Sequence, residues 1–280
     1  PNPLIRSQML YPVKLQALDK IKNIIFDYFI SIIVSIMNSV LILKTEITST
    51  TVEFVSNYLK NEKSKIVAIC NANTLVRSYR NSEIQEKINS FDIKAPDGFP
   101  VAKASKVLYK NNQKRVDGYK VFHETIKNGI DSNLSHYFYG SNEKVITLMI
   151  KNLKKEYPKI NISGYKCPPI KTYKELCEKE FVGDMIKQNP DVIWVSLGFP
   201  KQEEFILMLK NKYKINSNIV GIGAVFEWVA GTKVKAPEWV ANIGFEWILR
   251  LMQEPKRLLR RYLIDNFLFI IYFIKQYISK

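Results

Sequence analysis

Histidine and cysteine are scarce in this 280-residue chain, which has two of the first and three of the second. His123 and His136 stand in no HExxH or comparable spacing, so a histidine-built metal centre has little support. Cys70, Cys167 and Cys177 form no CxxC pair, which argues against a disulfide framework or zinc site and suits a reducing cytoplasm. No DxD pair occurs, and there is no P-loop GxxxxGK[ST]. Gly221-Ile-Gly223 begins a GxGxxG fingerprint, but Phe226 holds the third glycine position. The expectation is therefore no metal and no cofactor. The opening PNPLIRSQML lacks the apolar core and small-residue cleavage site of a signal peptide, and no repeat or low-complexity segment is present.

Long apolar runs are also short of what a bilayer demands. Ile24 to Leu43 is strongly apolar but interrupted by Asp27 and Asn38. Its end, Val40 to Leu43, is followed by Lys44-Thr45-Glu46 and reads as a first buried strand. About 14 apolar residues remain, too few to span. Upstream, Leu15, Leu18, Ile21, Ile25, Tyr28 and Ile32 recur at helical spacing beside Lys14, Lys20 and Lys22. Residues 1–38 are thus expected to form an amphipathic helix that lies on a membrane or packs on the domain.

What is present is a globular composition with 46% apolar and 24% charged residues, and a net charge of +16. Such a surface suits nucleic acid, acidic headgroups or phosphorylated substrates, without choosing among them. From about residue 39, short apolar strands alternate with amphipathic helices. The strands are expected at Val40–Leu43, Ile66–Cys70, Ser135–Tyr139, Ile160–Ser163, Val192–Leu197 and Ile219–Ile222. The helices are expected at Thr50–Lys60, Thr74–Arg80, Asn142–Tyr157, Thr172–Lys187 and Lys201–Tyr213. This alternation predicts an α/β, Rossmann-like, mostly parallel sheet with helices on both faces over residues 39–235. A ligand crevice then lies beyond the carboxyl ends of the strands, at Asn71, Asn73, Gly140, Ser141, Gly198 to Gln202 and Gly223 to Glu227. Residues 236–280 have no strand pattern and cluster Arg250, Lys256, Arg257, Arg260 and Arg261 beside an apolar run. They read as a basic helical appendage, either at a membrane surface or docked on the domain.

Several segments could carry chemistry. Gly221-Ile-Gly223 allows close backbone approach to a phosphate or base, though a packing turn explains it as well. Ser196 to Ile206, SLGFPKQEEFI, places Lys201 and Gln202 at a helix start, where free N–H groups bind anions; a capped turn is the plainer account. Asp97, between Pro96 and Gly98 and just after a strand or turn expected at Phe91–Ala95, is a carboxylate suited to general-base work or simply an Asp-Gly turn.

Six stretches occur together: ICNANTLVRSYR (69–80), APDGFPVAKASK (95–106), RVDGYKVF (115–122), SLGFPKQEEFI (196–206), GIGAVFEWVAG (221–231) and APEWVANIGFEWILRLMQEPKRLLRRYL (236–263). In their order and spacing the chain resembles the WecG/TagA/CpsF glycosyltransferases, glycosyltransferase family 26, over roughly residues 39–265. The resemblance implies inverting, metal-independent transfer from a UDP-sugar, often UDP-N-acetylmannosamine, to a polyprenyl-diphosphate-linked sugar. It implies a peripheral enzyme at the cytoplasmic face of the cell membrane that builds a surface polysaccharide. By position Asp97 matches the family's catalytic base, and Asn71, Arg115 and Gln202 match pocket residues. Glu227 stands where an aspartate lies near the uracil, and with Gly140 and Gly223 completes the expected UDP contacts. Arg250, Arg257 and Arg260 match arginines that close over the diphosphate. Ile69 replaces a threonine of some members, and Lys120 replaces a common aspartate; these bear on the sugar rather than the reaction class.

Two other function classes compete with the enzyme: a basic nucleic-acid-binding protein and a non-catalytic membrane adaptor. The first lacks a nucleic-acid-reading motif, and its arginines adjoin apolar residues suited to lipid. Retention of Asp97, Gln202 and the arginines opposes the second. The expected partners are a UDP-sugar, a polyprenyl-diphosphate acceptor and an anionic membrane surface, with no nucleic acid; self-association stays open.

Overall fold

The computed structural model describes residues 39–280, so the helix expected over residues 1–38 lies outside the described residues. The chain first forms β1 (Ser39–Ile42) and β2 (Thr45–Thr48), joined by a two-residue turn in which Leu43 and Lys44 both take positive φ. The strand expected at Val40–Leu43 therefore exists but belongs to this separate two-stranded sheet rather than to the main one. Its alternation explains why: Val40 and Ile42 face inward while Leu41 is exposed, the pattern of a one-sided ribbon.

Next come α1 (Val52–Asn61), β3 (Ile66–Cys70), α2 (Ala72–Arg80), α3 (Ser82–Asn89) and β4 (Ile93–Pro96). They lead into α4 (Phe99–Tyr109), α5 (Gly118–Gly129), β5 (Ser135–Gly140), α6 (Glu143–Glu156) and β6 (Asn161–Lys166). The helix expected over Thr172–Lys187 is two, α7 (Tyr173–Leu176) and α8 (Lys179–Gln188). A Thr172–Glu175 capping box fixes the start of α7, and the chain turns at Cys177. The α/β part ends with β7 (Val192–Ser196), α9 (Lys201–Tyr213), β8 (Asn218–Gly221) and α10 (Val225–Val229).

The six strands from β3 onward make one parallel sheet in the order β4-β3-β8-β7-β5-β6. Central strands are buried on both sides, which is why IVAIC and VIWVS read as continuous apolar runs. Alternate residues feed two cores: Ile193 and Val195 of β7 join one, while Val192 and Trp194 join the other. His136 lies in this interior and accepts from the Trp194 indole N–H at 3.2 Å, so burial drops its pKa to about 4.

After Gly231 the chain is helical: α11 (Glu238–Asn242), α12 (Glu246–Gln253), α13 (Pro255–Arg261), a π-helical turn (Tyr262–Asn266) and α14 (Phe267–Ile278). Residues Val40–Lys280 form one compact unit, with this tail packed into it. On α14, Phe269 is buried and Tyr272 stacks against Tyr79 of α2 at 4.5 Å. Gln276 pins the β1 turn by accepting from Leu43 N–H at 2.9 Å and donating to the Leu41 carbonyl at 2.8 Å. Each large apolar side chain buried this way stabilises docking by about 1.5–3 kcal/mol. The opposite face of the same helix exposes Phe267, Ile270, Ile271, Ile274 and Ile278. The tail is thus docked on the domain by one face and leaves the other apolar face open. No described helix is long and apolar enough to cross a membrane.

Candidate active site

Where β3, β4, β7 and β8 end, their following turns surround a cavity of about 230 Å³. Asn71, which caps α2 by accepting from Thr74 N–H, lies on its wall with Asp97 after β4. The β7 turn contributes Ser196 to Phe199, and the β8 turn contributes Gly221 to Val225 with Glu227 and Trp228 of α10. Arg250, Arg257 and Arg261 reach in from α12 and α13. A second, smaller cavity is lined by Asn73, Phe99, Pro100, Arg115, Trp247 and Tyr262. Asn71, Asp97, Arg250 and Arg261 line both spaces and so form the partition between them.

Gln202 opens α9 from a buried position and organises one wall. Its Oε1 accepts from Gly223 N–H at 3.1 Å, and its Nε2 donates to Glu203 Oε1 at 3.0 Å. This needs a glycine at 221, because a Cβ there would sit 2.4 Å from the Gln202 amide nitrogen. Asn71, Gln202 and Gly223 therefore come together as the sequence expected.

The electrostatics are unusual for carboxylates. Burial, with the negative charges of Asp117 and Glu246, pushes Asp97 up to about 7 against the pull of Arg115 and Arg250. Its Oδ1 accepts from Gly98 N–H at 2.8 Å. Glu203 is only 4% exposed, burial lifts it to about 7, and its Oε2 has no hydrogen-bond partner. Glu227 likewise has a buried Oε2 without a partner, while its Oε1 meets Lys233 at 3.4 Å. Arg261 is mostly buried with its Nε unpaired; burial, with neighbouring Arg250 and Arg257, holds its pKa below the usual arginine value. Arg250 lies 5.0 Å over the Trp228 ring and forms no ion pair among the described residues. The unbonded Nε of Arg261 and the unbonded Oε2 atoms of Glu203 and Glu227, on residues lining one cavity beside the unpaired charge of half-buried Arg250, favour a ligand that carries both anionic and donor groups.

Of the remaining expected contacts, one is engaged within the protein and two lie outside both cavities. Arg115 lines the second cavity, but its guanidinium is committed to Asp117 and Glu246, which ties α12 to the loop before α5. Gly140 lines neither cavity: β5 packs so closely on β7 that a Cβ there would lie 2.2 Å from the Ser196 carbonyl oxygen. Arg260 is exposed and outside both cavities, and Arg261 takes the inward position. At 100° per residue, position 260 points about 160° away from buried Leu258, whereas 261 lies on the Arg257 side that faces the site. The i, i+4 spacing of Arg257 and Arg261 was the available signal. Glu203, Trp228, Trp247 and Tyr262 were also missed. Glu203 gave no cue, since an acidic residue in a helix's first turn ordinarily faces solvent.

Among the described residues no group of three or more His, Cys, Asp or Glu could hold a metal ion. His123 is engaged by Tyr157 and Glu156 at 3.0 and 3.3 Å.

The Glycosyl transferase WecG/TagA/CpsF family profile matches residues 40–280. A Bacillus spizizenii protein named N-acetylglucosaminyldiphosphoundecaprenol N-acetyl-beta-D-mannosaminyltransferase is 28% identical over 213 residues, 76% of this chain and 80% of its own. A Staphylococcus aureus (strain MW2) protein of the same name is 28% identical over 231 residues, covering 82% of this chain and 89% of its own. The Bacillus subtilis (strain 168) counterpart is 26% identical over 201 residues, 72% and 76% of the two chains.

Proposed function

Because the chain belongs to the WecG/TagA/CpsF glycosyl transferase family and is a glycosyltransferase, we propose that it moves N-acetylmannosamine or a related sugar from UDP to a polyprenyl-diphosphate-linked sugar. The observation that carries this reading is the partition: one carboxyl, Asp97, stands between two cavities with cationic Arg250 and Arg261 beside it. The donor occupies the larger cavity, its diphosphate facing Arg250, Arg257 and Arg261, and its base toward Glu227 and Trp228. The acceptor sugar enters the smaller one, against Trp247, Tyr262 and Phe99.

Asp97 accepts the proton of the acceptor hydroxyl as that oxygen bonds to the anomeric carbon. The bond from that carbon to the diphosphate oxygen breaks, its electron pair leaves with UDP, and the configuration inverts. The arginines stabilise the charge that develops on the leaving diphosphate, the task a metal clamp performs elsewhere. Metal independence is part of the proposal. So is residence at the cytoplasmic membrane face, supported by the open apolar face of α14, by exposed Trp239, Ile243 and Met252, and by exposed Lys256, Arg257 and Arg260 in the same C-terminal segment.

The test is a panel of UDP-sugars with a short-chain lipid-diphosphate-linked N-acetylglucosamine, with products identified by mass spectrometry. Transfer from UDP-N-acetylmannosamine is expected. If no UDP-sugar yields product and UDP fails to shift the melting temperature, the proposal is wrong.

A further inference from the structure

The proposed transfer brings two diphosphates to one carboxyl, the donor's and the acceptor's, while Arg250 and Arg261 stand on the partition between the two cavities and Arg257 lines only the larger. A third concavity, an open groove of about 540 Å³, adjoins the second cavity through Phe99, Arg115 and Ala241, which line both. Resting on that transfer reading, we infer that this groove, through Lys103, Lys106 and Lys114, binds the diphosphate of the acceptor.

The geometry sets the route. With its hydroxyl at Asp97, an acceptor sugar fills the second cavity and its anomeric diphosphate must leave on another side. The Phe99–Arg115 side opens directly into the groove. On α4, Phe99, Lys103 and Lys106 follow one another at i, i+4 and i+7, a single exposed stripe. Charge accounting favours an anion there. Arg115 is neutralised by Asp117 and Glu246, and Lys120 by Glu238. Lys103, Lys106 and Lys114 line the same groove and make no ion pair or side-chain hydrogen bond among the described residues. Such mutually repelling cations are relieved by a phosphate group, and lysine serves phosphates as a point charge. The apolar side matches a polyprenyl chain: Trp239 and Ile243, 69% and 54% exposed, belong to or adjoin α11, whose Glu238 and Ala241 line the groove. Donor and acceptor diphosphates are thus held by different cations, arginine for the leaving group and lysine for the group that stays.

The test uses the full chain with Lys103→Ala, Lys106→Ala and Lys114→Ala combined, and a water-soluble acceptor, N-acetylglucosamine diphosphate on a short alkyl chain, without membranes. All three side chains are exposed, so an unchanged melting temperature is expected. The KM for this acceptor should rise about tenfold or more, while the KM for the UDP-sugar and the affinity for UDP stay within about twofold. Lysine-to-arginine replacements should restore the acceptor KM. An alkyl glycoside of N-acetylglucosamine without the diphosphate should be used equally poorly by wild type and variant. An unchanged acceptor KM overturns the inference, as does an equal loss on the phosphate-free acceptor. A loss seen only with anionic vesicles also overturns it and assigns the lysines to the bilayer. Failure of the transfer reading has a separate signature, since wild type itself would then neither bind UDP nor transfer from it.

Discussion

As the base of the proposed transfer, Asp97 must be ionised to accept a proton, yet its surroundings push it up to about 7, and the conflict gives a quantitative pH dependence. With the carboxyl at about 7, kcat/KM should rise tenfold per pH unit up to that point and then level. At pH 6 about a tenth of the molecules carry the base form. Glu246→Gln perturbs this without touching Asp97. It removes one repelling charge and releases Arg115 from one of its two partners, leaving Asp117, and both effects favour the ionised carboxyl. The acid limb should therefore move to lower pH, with activity at pH 6 rising relative to the plateau. Asp97→Asn should cost about 10²-fold or more in turnover and abolish the limb, while UDP binding changes little. The same substitution should raise the melting temperature at pH 8. There the native protein holds a carboxylate whose folded pKa lies above its unfolded value, so ionisation opposes folding and an amide avoids it. The assay is initial-rate kinetics from pH 5 to 9 beside thermal melts at pH 8. A limb in the ordinary carboxylate range, or one that survives in Asp97→Asn, would refute the assignment.

Further outcomes are expected. EDTA should leave transfer intact; abolition with restoration by magnesium or manganese would show that arginine does not replace a metal. Ile271→Glu with Ile274→Glu, on the open face of α14, should reduce sedimentation with anionic liposomes while UDP affinity holds; unchanged sedimentation would move the anchor elsewhere. His136 has a folded pKa of about 4 against an ordinary 6.5, so the unfolded chain binds the extra proton and stability falls as pH drops through that window. Urea unfolding should lose about 3 kcal/mol between pH 7 and pH 4 from this group, and His136→Gln should flatten that part of the profile.

The sheet was legible because its central strands are buried on both faces, so IVAIC and VIWVS stand out from any polar background. β4, with the sequence IKAP, showed only as a strand or turn at Phe91–Ala95, since Lys94 is buried only by folding back on the Asn89 and Phe91 carbonyls. Helices α4 and α5 were hidden for another reason. α4 begins at Gly98-Phe99-Pro100, which reads as a turn, and α5 is bounded by glycines at both ends. In the site, the residues just beyond strand ends were placed by topology alone. Arg260 was assigned in place of Arg261 although the i, i+4 spacing puts Arg261 on the Arg257 side of α13; the burial of Leu258 fixes that rotation. Arg115 likewise had an ordinary charged sequence; its partner Glu246 is 131 positions away.

The strand order also dictates when the enzyme can first exist during synthesis. β8 sits between β3 and β7, but it is the last strand to be made. Until residue 221 leaves the ribosome, β3–β4 and β5–β6–β7 are two half-sheets, each with an unpaired edge where β8 belongs. Such edges are sites for wrong pairing, and parallel sheets close slowly because their contacts span long stretches of chain. The nascent protein should thus depend on holding chaperones late in translation. The arginines of α12 and α13 that line the cavity then arrive only after the sheet can close.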